Sequence, residues 1–341
     1  MKNGYEVVII GAGAAGCTLA SNLKKGISAL LIDQRLMPRK KACSGILVRA
    51  GKDLIKNWDI PKDVFTSPLE LDLTYLDWDN NLVNKTKKSF YNSWRPKLDQ
   101  WLFEQVQKTG VDIAIQTKVV DLFPSEKGEY WVILVETNGS VKSIVSKYVV
   151  GCDGALSFVR SKLLKESVPY YIAIQELIPT NGIKEAYFIF DNSITDFYSW
   201  VIPKGDFVEV GTTVKPPKAI EKFELFKKKV DEKFGVRGKG EILSAPVLRP
   251  TTMAHFFPGK GKVLLAGEAA GFISPSSAEG ISYALRSGKM CAEAFNENMV
   301  SPLETYEKKL APILKRLSAK LKKSAVLSDV KTRKTLFSHL H

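Results

Sequence analysis

Residues 6–23 read EVVIIGAGAAGCTLASNL, and two readings compete for them. An apolar run followed by small residues ending at Thr18-Leu19-Ala20 has the outline of a cleaved secretory signal. Glu6 interrupts its approach, however, and Gly11, Gly13 and Gly16 break its apolar core. Read as strand, turn and helix, every residue has a place. Glu6–Ile10 forms a short buried parallel strand. Gly11, Ala12, Gly13, Ala14, Ala15 and Gly16 fit G-x-G-x-x-G. Gly11 permits the tight turn, Gly13 lets backbone approach a pyrophosphate, and Gly16 allows close helix–strand packing. The helix that follows points its free N–H groups at the phosphates. A second apolar strand, Ala29–Ile32, runs into Asp33, with Gln34 and Arg35 behind it. An acid about 20 residues past the glycines, at the end of the second strand, can accept hydrogen bonds from ribose hydroxyls. The stretch is therefore a dinucleotide-binding β-α-β unit.

The rest of the chain bounds what that unit can serve. Its 341 residues are enough for two to three domains. No apolar run approaches the roughly 18 residues of a membrane-spanning helix. Four scattered cysteines, with no C-x-x-C pair, fit a reducing cytoplasm. With only His255, His339 and His341, histidine-based metal sites and Ser-His-Asp chemistry are not expected. The net charge is +14, and the stretch 301–341 carries ten Lys or Arg against three Asp or Glu. No nucleic-acid-binding signature accompanies that excess. Leu303, Tyr306, Leu310, Leu314, Leu317 and Leu321 recur there at helical steps between lysines. Such a helix either docks on an anionic membrane or packs on the protein's own surface with its basic face solvated.

Rossmann-type pieces recur three times along the chain, separated by alternating, strand-rich segments. The expected fold is α/β. A discontinuous cofactor domain (1–65, 93–165 and 245–300) carries an inserted antiparallel-sheet substrate domain (66–92 and 166–244) and a basic helical segment (301–341).

Two later stretches distinguish the cofactor. Asp153-Gly154-Ala155-Leu156-Ser157-Phe158-Val159-Arg160 resembles the D-G-x-x-S-x-V-R segment of flavoproteins related to para-hydroxybenzoate hydroxylase and the geranylgeranyl reductases. Val263–Gly271 with Pro275 resembles their third segment, usually G-D-A-A-G-x-x-x-P, with Glu268 standing where Asp is usual. Arg95, Leu98 and Leu102 match R-x-x-L-x-x-x-L. The resemblance implies FAD, held by the fingerprint, by Asp33, Gln34 and Arg35, by Cys43 and Ser44, and by Arg95, Val119, Asp153 and Gly154. It adds Gly267, Glu268 and Pro275, and a helix start at Gly280 and Ile281 beside the flavin N1/C2=O edge. Glu268, one methylene longer than Asp, puts its own ribityl contact in doubt. Asp153 could equally cap the turn after its strand.

The reaction is read from two further stretches. Cys43-Ser44-Gly45 resembles the C-x-G segment of the geranylgeranyl reductases, beside the isoalloxazine, which makes Cys43 a candidate catalytic residue. Tyr198-Ser199-Trp200-Val201-Ile202-Pro203 resembles their Y-x-W-x-F-P motif. Tyr198 and Trp200 alternate onto one strand face, an aromatic wall suited to an isoprenoid chain or to ordinary sheet core. The implied activity is hydride transfer from reduced FAD to an isolated C=C of a prenyl chain. An external donor (NADPH, NADH or ferredoxin) would be needed, because no second G-x-G-x-x-G is present. The same hexapeptide resembles the W-x-W-x-I-P signature of flavin-dependent halogenases, so monooxygenase or halogenase chemistry stays open. So does a flavin-free prenyl-binding module, related in architecture to Rab GDP dissociation inhibitors.

Overall fold

The computed structural model describes residues 1–180 and 182–338, apart from the side chains of Lys87 and Lys88. His339, His341 and the end of the 301–341 segment lie outside the described residues. Among those described, the strands form two eight-stranded sheets.

The first sheet is built around the fingerprint strand. Strand Gly4–Ile10 lies between Ala29–Ile32 and Ser140–Gly151, parallel to both. Asp112–Ala114 and Val263–Leu265 extend it on either side, also parallel. Val7, Val8, Ile9, Leu30 and Leu31 are fully buried, in one core with the helices Ala14–Asn22 and Ile281–Glu297. Helix Ala14–Asn22 meets helix Ile281–Glu297 so closely that a Cβ at Gly288 would stand 2.3 Å from the Ala15 carbonyl oxygen. An antiparallel meander, Lys118–Pro124 and Trp131–Thr137, leans on the first half of Ser140–Gly151.

The second sheet runs in the order Glu241–Leu248, Tyr170–Pro179, Phe207–Val214, Thr195–Lys204, Ala186–Asp191, Phe65–Asp77, Leu82–Ser93, Ile46–Leu47. All its pairs are antiparallel except Phe65–Asp77 with Ala186–Asp191. Strand Glu241–Leu248 crosses the boundary at 245 read from the sequence, and Ile46–Leu47 also joins this sheet. One face is covered by helix Ala219–Phe234, whose Phe223, Phe226 and Val230 pack on Ile174, Val201 and Val210. Burying each of these three side chains is worth about 1.5–3 kcal/mol. The opposite face looks toward the first sheet.

The C-terminal segment holds the two sheets together. Helix Pro302–Ser328 buries Tyr306, Leu310, Ile313 and Leu317 in the core of the first sheet, and the Tyr306 hydroxyl donates to the Leu265 carbonyl at 3.1 Å. Leu303, Leu314 and Leu321 pack at its edge. The apolar stripe therefore faces the chain's own core. Helix Val330–Ser338 then crosses to the second sheet, where Phe337 joins Tyr75 and Phe190. Arg333, 1% exposed, donates to both oxygens of the fully buried Asp77 at 2.8 and 3.1 Å, and to Asp79. No helix among the described residues is long and apolar enough to cross a membrane.

Candidate flavin and substrate site

A cavity of about 650 Å³ opens between the two sheets. Its nucleotide end is backbone. Gly11, at φ +107°, turns the chain so tightly that a Cβ there would lie 2.4 Å from the Cys152 carbonyl oxygen. A Cβ at Gly16 would lie 1.9 Å from the Gly11 carbonyl oxygen. Gly16 thus packs helix on turn and does not line the cavity. Gly13 differs. It precedes helix Ala14–Asn22, lines the cavity with Ala14 and Ala15, and would place a Cβ near nothing but Arg39 Nη2, at 2.9 Å. The backbone there is open to a phosphate, at a helix N-terminus carrying about half a positive charge. The cradle fits the pyrophosphate of FAD.

Asp33 lines the same end, but its carboxylate already has protein partners. Oδ2 accepts from Ala12 N–H at 2.7 Å and from Arg39 Nη1 at 3.0 Å, while Oδ1 accepts from Arg35 N–H at 2.8 Å. Ala12 therefore supports the site by holding Asp33 and does not line it. Oδ2 is thereby filled, while Oδ1, with one donor, keeps an acceptor site for a ribose hydroxyl. Gln34, Arg35 and Val119 complete this end. Arg39 is the residue that sequence reading missed here, although it lies only six positions past Asp33 in a basic loop. Its guanidinium bridges Asp33 and, at 3.8 Å, Asp99.

At mid-cavity, Asp153 and Gly154 reach the lining. Asp153 acts as a cap: Oδ1 accepts from the Ser157 hydroxyl at 2.5 Å and Oδ2 from Val159 N–H at 3.1 Å. Burial raises its pKa above the usual carboxylate value against those hydrogen bonds. Glu268 also lines the cavity, and its extra methylene takes Oε1 to Leu248 N–H on the second sheet, at 2.8 Å. That bond fixes one carboxylate oxygen between the sheets. Gly267 and Pro275 stay behind the lining. Gly267 packs toward Ala15, and the Pro275 carbonyl accepts from Ser324 Oγ at 2.9 Å. Gly280 and Ile281 line the cavity at the N-terminus of helix Ile281–Glu297.

Cys43 and Ser44 line the cavity beside Arg95. Arg95 Nη1 donates to Cys43 Sγ at 3.4 Å and Nε to Asp99 Oδ1 at 2.8 Å. Burial opposes the charge on Arg95, but Asp99 and Cys43 outweigh it and hold its pKa above the ordinary value. The loop behind Cys43 is fixed from the other sheet. The fully buried Lys204 donates to the carbonyls of Ser44 and Ser93.

The far wall is aromatic. Tyr198 and Trp200 line it with Phe188 and Ala173. Tyr198 stacks on Phe188 with ring centroids 4.8 Å apart and donates its hydroxyl to the Ser277 carbonyl at 2.6 Å. Trp200 Nε1 donates to Glu209 Oε1 at 2.8 Å, and Gln175 Nε2 holds the other oxygen at 3.1 Å. Gly211, directly across the ladder, makes room for the indole: a Cβ there would stand 2.3 Å from the ring. The two rings are only 7% and 5% exposed. They are at once cavity wall and sheet core. Pro203 does not line the cavity. Its place on the strand is of opposite parity to Tyr198 and Trp200, and its carbonyl accepts from Asn92 Nδ2 at 2.8 Å.

Comparison with known proteins agrees with this geometry. Residues 4–170 match the family described as FAD binding domain. Protein CbrA of Shigella flexneri serotype 5b (strain 8401) is 30% identical over 97% of this chain and 92% of its own. The chain belongs to the CbrA family. It binds FAD, through the domain matched over residues 4–170. Two solved structures share the fold. A geranylgeranyl bacteriochlorophyll reductase-like protein from Thermoplasma acidophilum superposes with a TM-score of 0.82 at 19% identity, over 99% of this chain and 91% of that one. PqsL of Pseudomonas aeruginosa, a probable FAD-dependent monooxygenase, superposes with a TM-score of 0.74 at 16% identity, over 98% of this chain and all of the other.

Proposed function

We propose that this CbrA-family protein reduces C=C bonds of a prenyl or other isoprenoid chain. The observation that carries this reading is the wall of Phe188, Tyr198 and Trp200 on the cavity whose other end is the nucleotide cradle. Reduced FAD, when bound, would supply the hydride to one carbon of the double bond, and solvent water the proton to the other. The residues of the chain hold, orient and exclude water. Gly13 and the helix start at Ala14 would take the pyrophosphate, and Asp33 the ribose. Gly280 and Ile281 would face the flavin edge, where the N-terminal half-charge of their helix favours the anionic reduced form. The aromatic wall gives an apolar chain a dry contact, and its phenol and indole polar atoms are already satisfied by Ser277 and Glu209, so none faces the chain unpaired. Cys43, held by Arg95, stands at the edge between cofactor and substrate regions. Four free thiols fit a cytoplasmic setting.

The second reading is a monooxygenase or halogenase, kept by the fold shared with PqsL. The test is anaerobic mixing of dithionite-reduced protein with a panel of polyprenyl compounds, against mixing with oxygen. Prenyl-dependent return of the oxidised flavin band supports the reductase. Reoxidation by oxygen alone, with an oxygenated aromatic product, supports the second reading.

A further inference from the structure

A second cavity, about 710 Å³, lies outside the flavin site, between the second sheet and helix Pro302–Ser328. The same four strands serve both cavities. Ala173, Thr213, Ala245 and Tyr198 line the flavin cavity, and Ala173 pairs with both Thr213 and Ala245 across the ladder. Two residues along on each strand, or just past its end, Tyr171, Lys215 and Asp196 line the second cavity; Val247 intervenes on the fourth strand, and Arg249 follows. A step of two keeps the same sheet face and advances about 7 Å. The cavities are therefore neighbouring stations on one face of one sheet.

Their chemistry differs. The charged groups lining the second cavity are Arg249, Lys215 and Asp196. Asp196 is already engaged, accepting from the Tyr171 hydroxyl at 2.9 and 3.1 Å and pairing with Lys215 at 2.8 Å. Arg249 has 9% of its side chain exposed and lies against the Phe197 ring at 4.1 Å. Its Nη2 donates to Ser328 Oγ at 2.6 Å and to the Asp196 carbonyl at 3.4 Å. Nη1 is buried with no hydrogen-bond partner, the nearest carboxylate oxygen being 4.0 Å away. A buried guanidinium without a bonded anion is costly, and the lining keeps an excess of one positive charge. Val168, Leu321 and Pro250 supply apolar contact around it.

We propose that this second cavity binds a phosphate or carboxylate head, paired by Arg249 and Lys215, of an amphiphile whose apolar chain runs along the sheet face to the aromatic wall. The chain's destination rests on the function proposed above; the anion site does not. The test is calorimetric titration of FAD-loaded protein with farnesyl phosphate against farnesol, decyl phosphate against decanol, and inorganic phosphate. Each phosphate-headed chain binds roughly tenfold or more tighter than its alcohol. Arg249→Gln abolishes that preference, and Lys215→Gln, at a side chain 65% exposed, weakens it with melting temperature and FAD content unchanged. Should Arg249→Gln fail to fold, Lys215→Gln carries the test. A head preference for both chains, without farnesyl-dependent flavin reoxidation, leaves the anion site standing and removes the prenyl reading. Equal affinity for phosphate and alcohol, or a preference unchanged in both variants, overturns the proposal. So does inorganic phosphate binding as tightly as decyl phosphate, which marks a site for the free anion.

Discussion

The two walls of the flavin cavity are made of different material. The nucleotide wall is backbone: a turn that only Gly11 can make, an open approach at Gly13, and a helix end. The opposite wall is side chain: two large rings, Tyr198 fixed at its hydroxyl by the Ser277 carbonyl, far along the chain, and Trp200 at its indole N–H by Glu209 on the neighbouring strand. A backbone wall can lose its ligand without losing its fold. A side-chain wall this buried cannot be cut away without weakening the sheet.

The largest effects expected follow that contrast. Gly13→Val pushes a branched side chain into the phosphate approach, where its only close neighbour is the mobile end of Arg39. The protein folds and loses FAD by more than about a hundredfold, or 2.7 kcal/mol or more in binding. Flavin fluorescence titration beside a melting curve reads both. Gly13→Val protein that keeps stoichiometric FAD breaks the backbone half of the comparison. Trp200→Ala is the mirror case. It opens a void against Gly211 and strips Glu209 of a donor, at a cost of about 3–5 kcal/mol of stability by urea unfolding. A Trp200→Ala protein as stable as wild type makes the wall an independent surface and not core.

The clamp between the sheets comes next. Arg333→Met leaves Asp77, fully buried, without its bidentate partner, and costs about 3–5 kcal/mol. Loss of less than about 1 kcal/mol would make the C-terminal helix a loosely held appendage.

The smallest effect is in pH dependence. Burial raises the pKa of Glu209 against the pull of Lys204 and its donors. A carboxylic acid with a raised folded pKa binds more protons folded than unfolded. Its stabilising share is present below the unfolded value and declines as pH rises through the folded one. Glu209→Gln keeps an acceptor for Trp200 and removes the titration. Its melting temperature relative to wild type should therefore climb from pH 5 to pH 8. A constant difference across that range would place the Glu209 pKa at its ordinary value.

The nucleotide wall was legible in the sequence because its physics is local. Turn, approach and helix packing need glycine at fixed spacing, and the acid ends the next strand. Even there, spacing could not show that Arg39 folds back on Asp33. The alternation that put Tyr198 and Trp200 on one face was also legible, and applied one step further it would have excluded Pro203. Glu209, Gly211 and Ser277 were not, since they meet the rings only through strand pairing and loop closure. The 301–341 segment showed its apolar stripe but not its target. Nothing in its periodicity could say that Tyr306 would reach Leu265, or that Arg333 would be drawn into the second sheet by Asp77 and Asp79.

The joining of the two walls into one reductase site is tested most directly in a single anaerobic turnover. Reduced holoprotein is mixed with a polyprenyl substrate, the flavin band is followed, and the product is weighed by mass spectrometry. The account predicts one flavin oxidised for each double bond lost, with the product heavier by two hydrogen atoms. Flavin that stays reduced under nitrogen with every prenyl compound, and reoxidises only when oxygen enters, would contradict it.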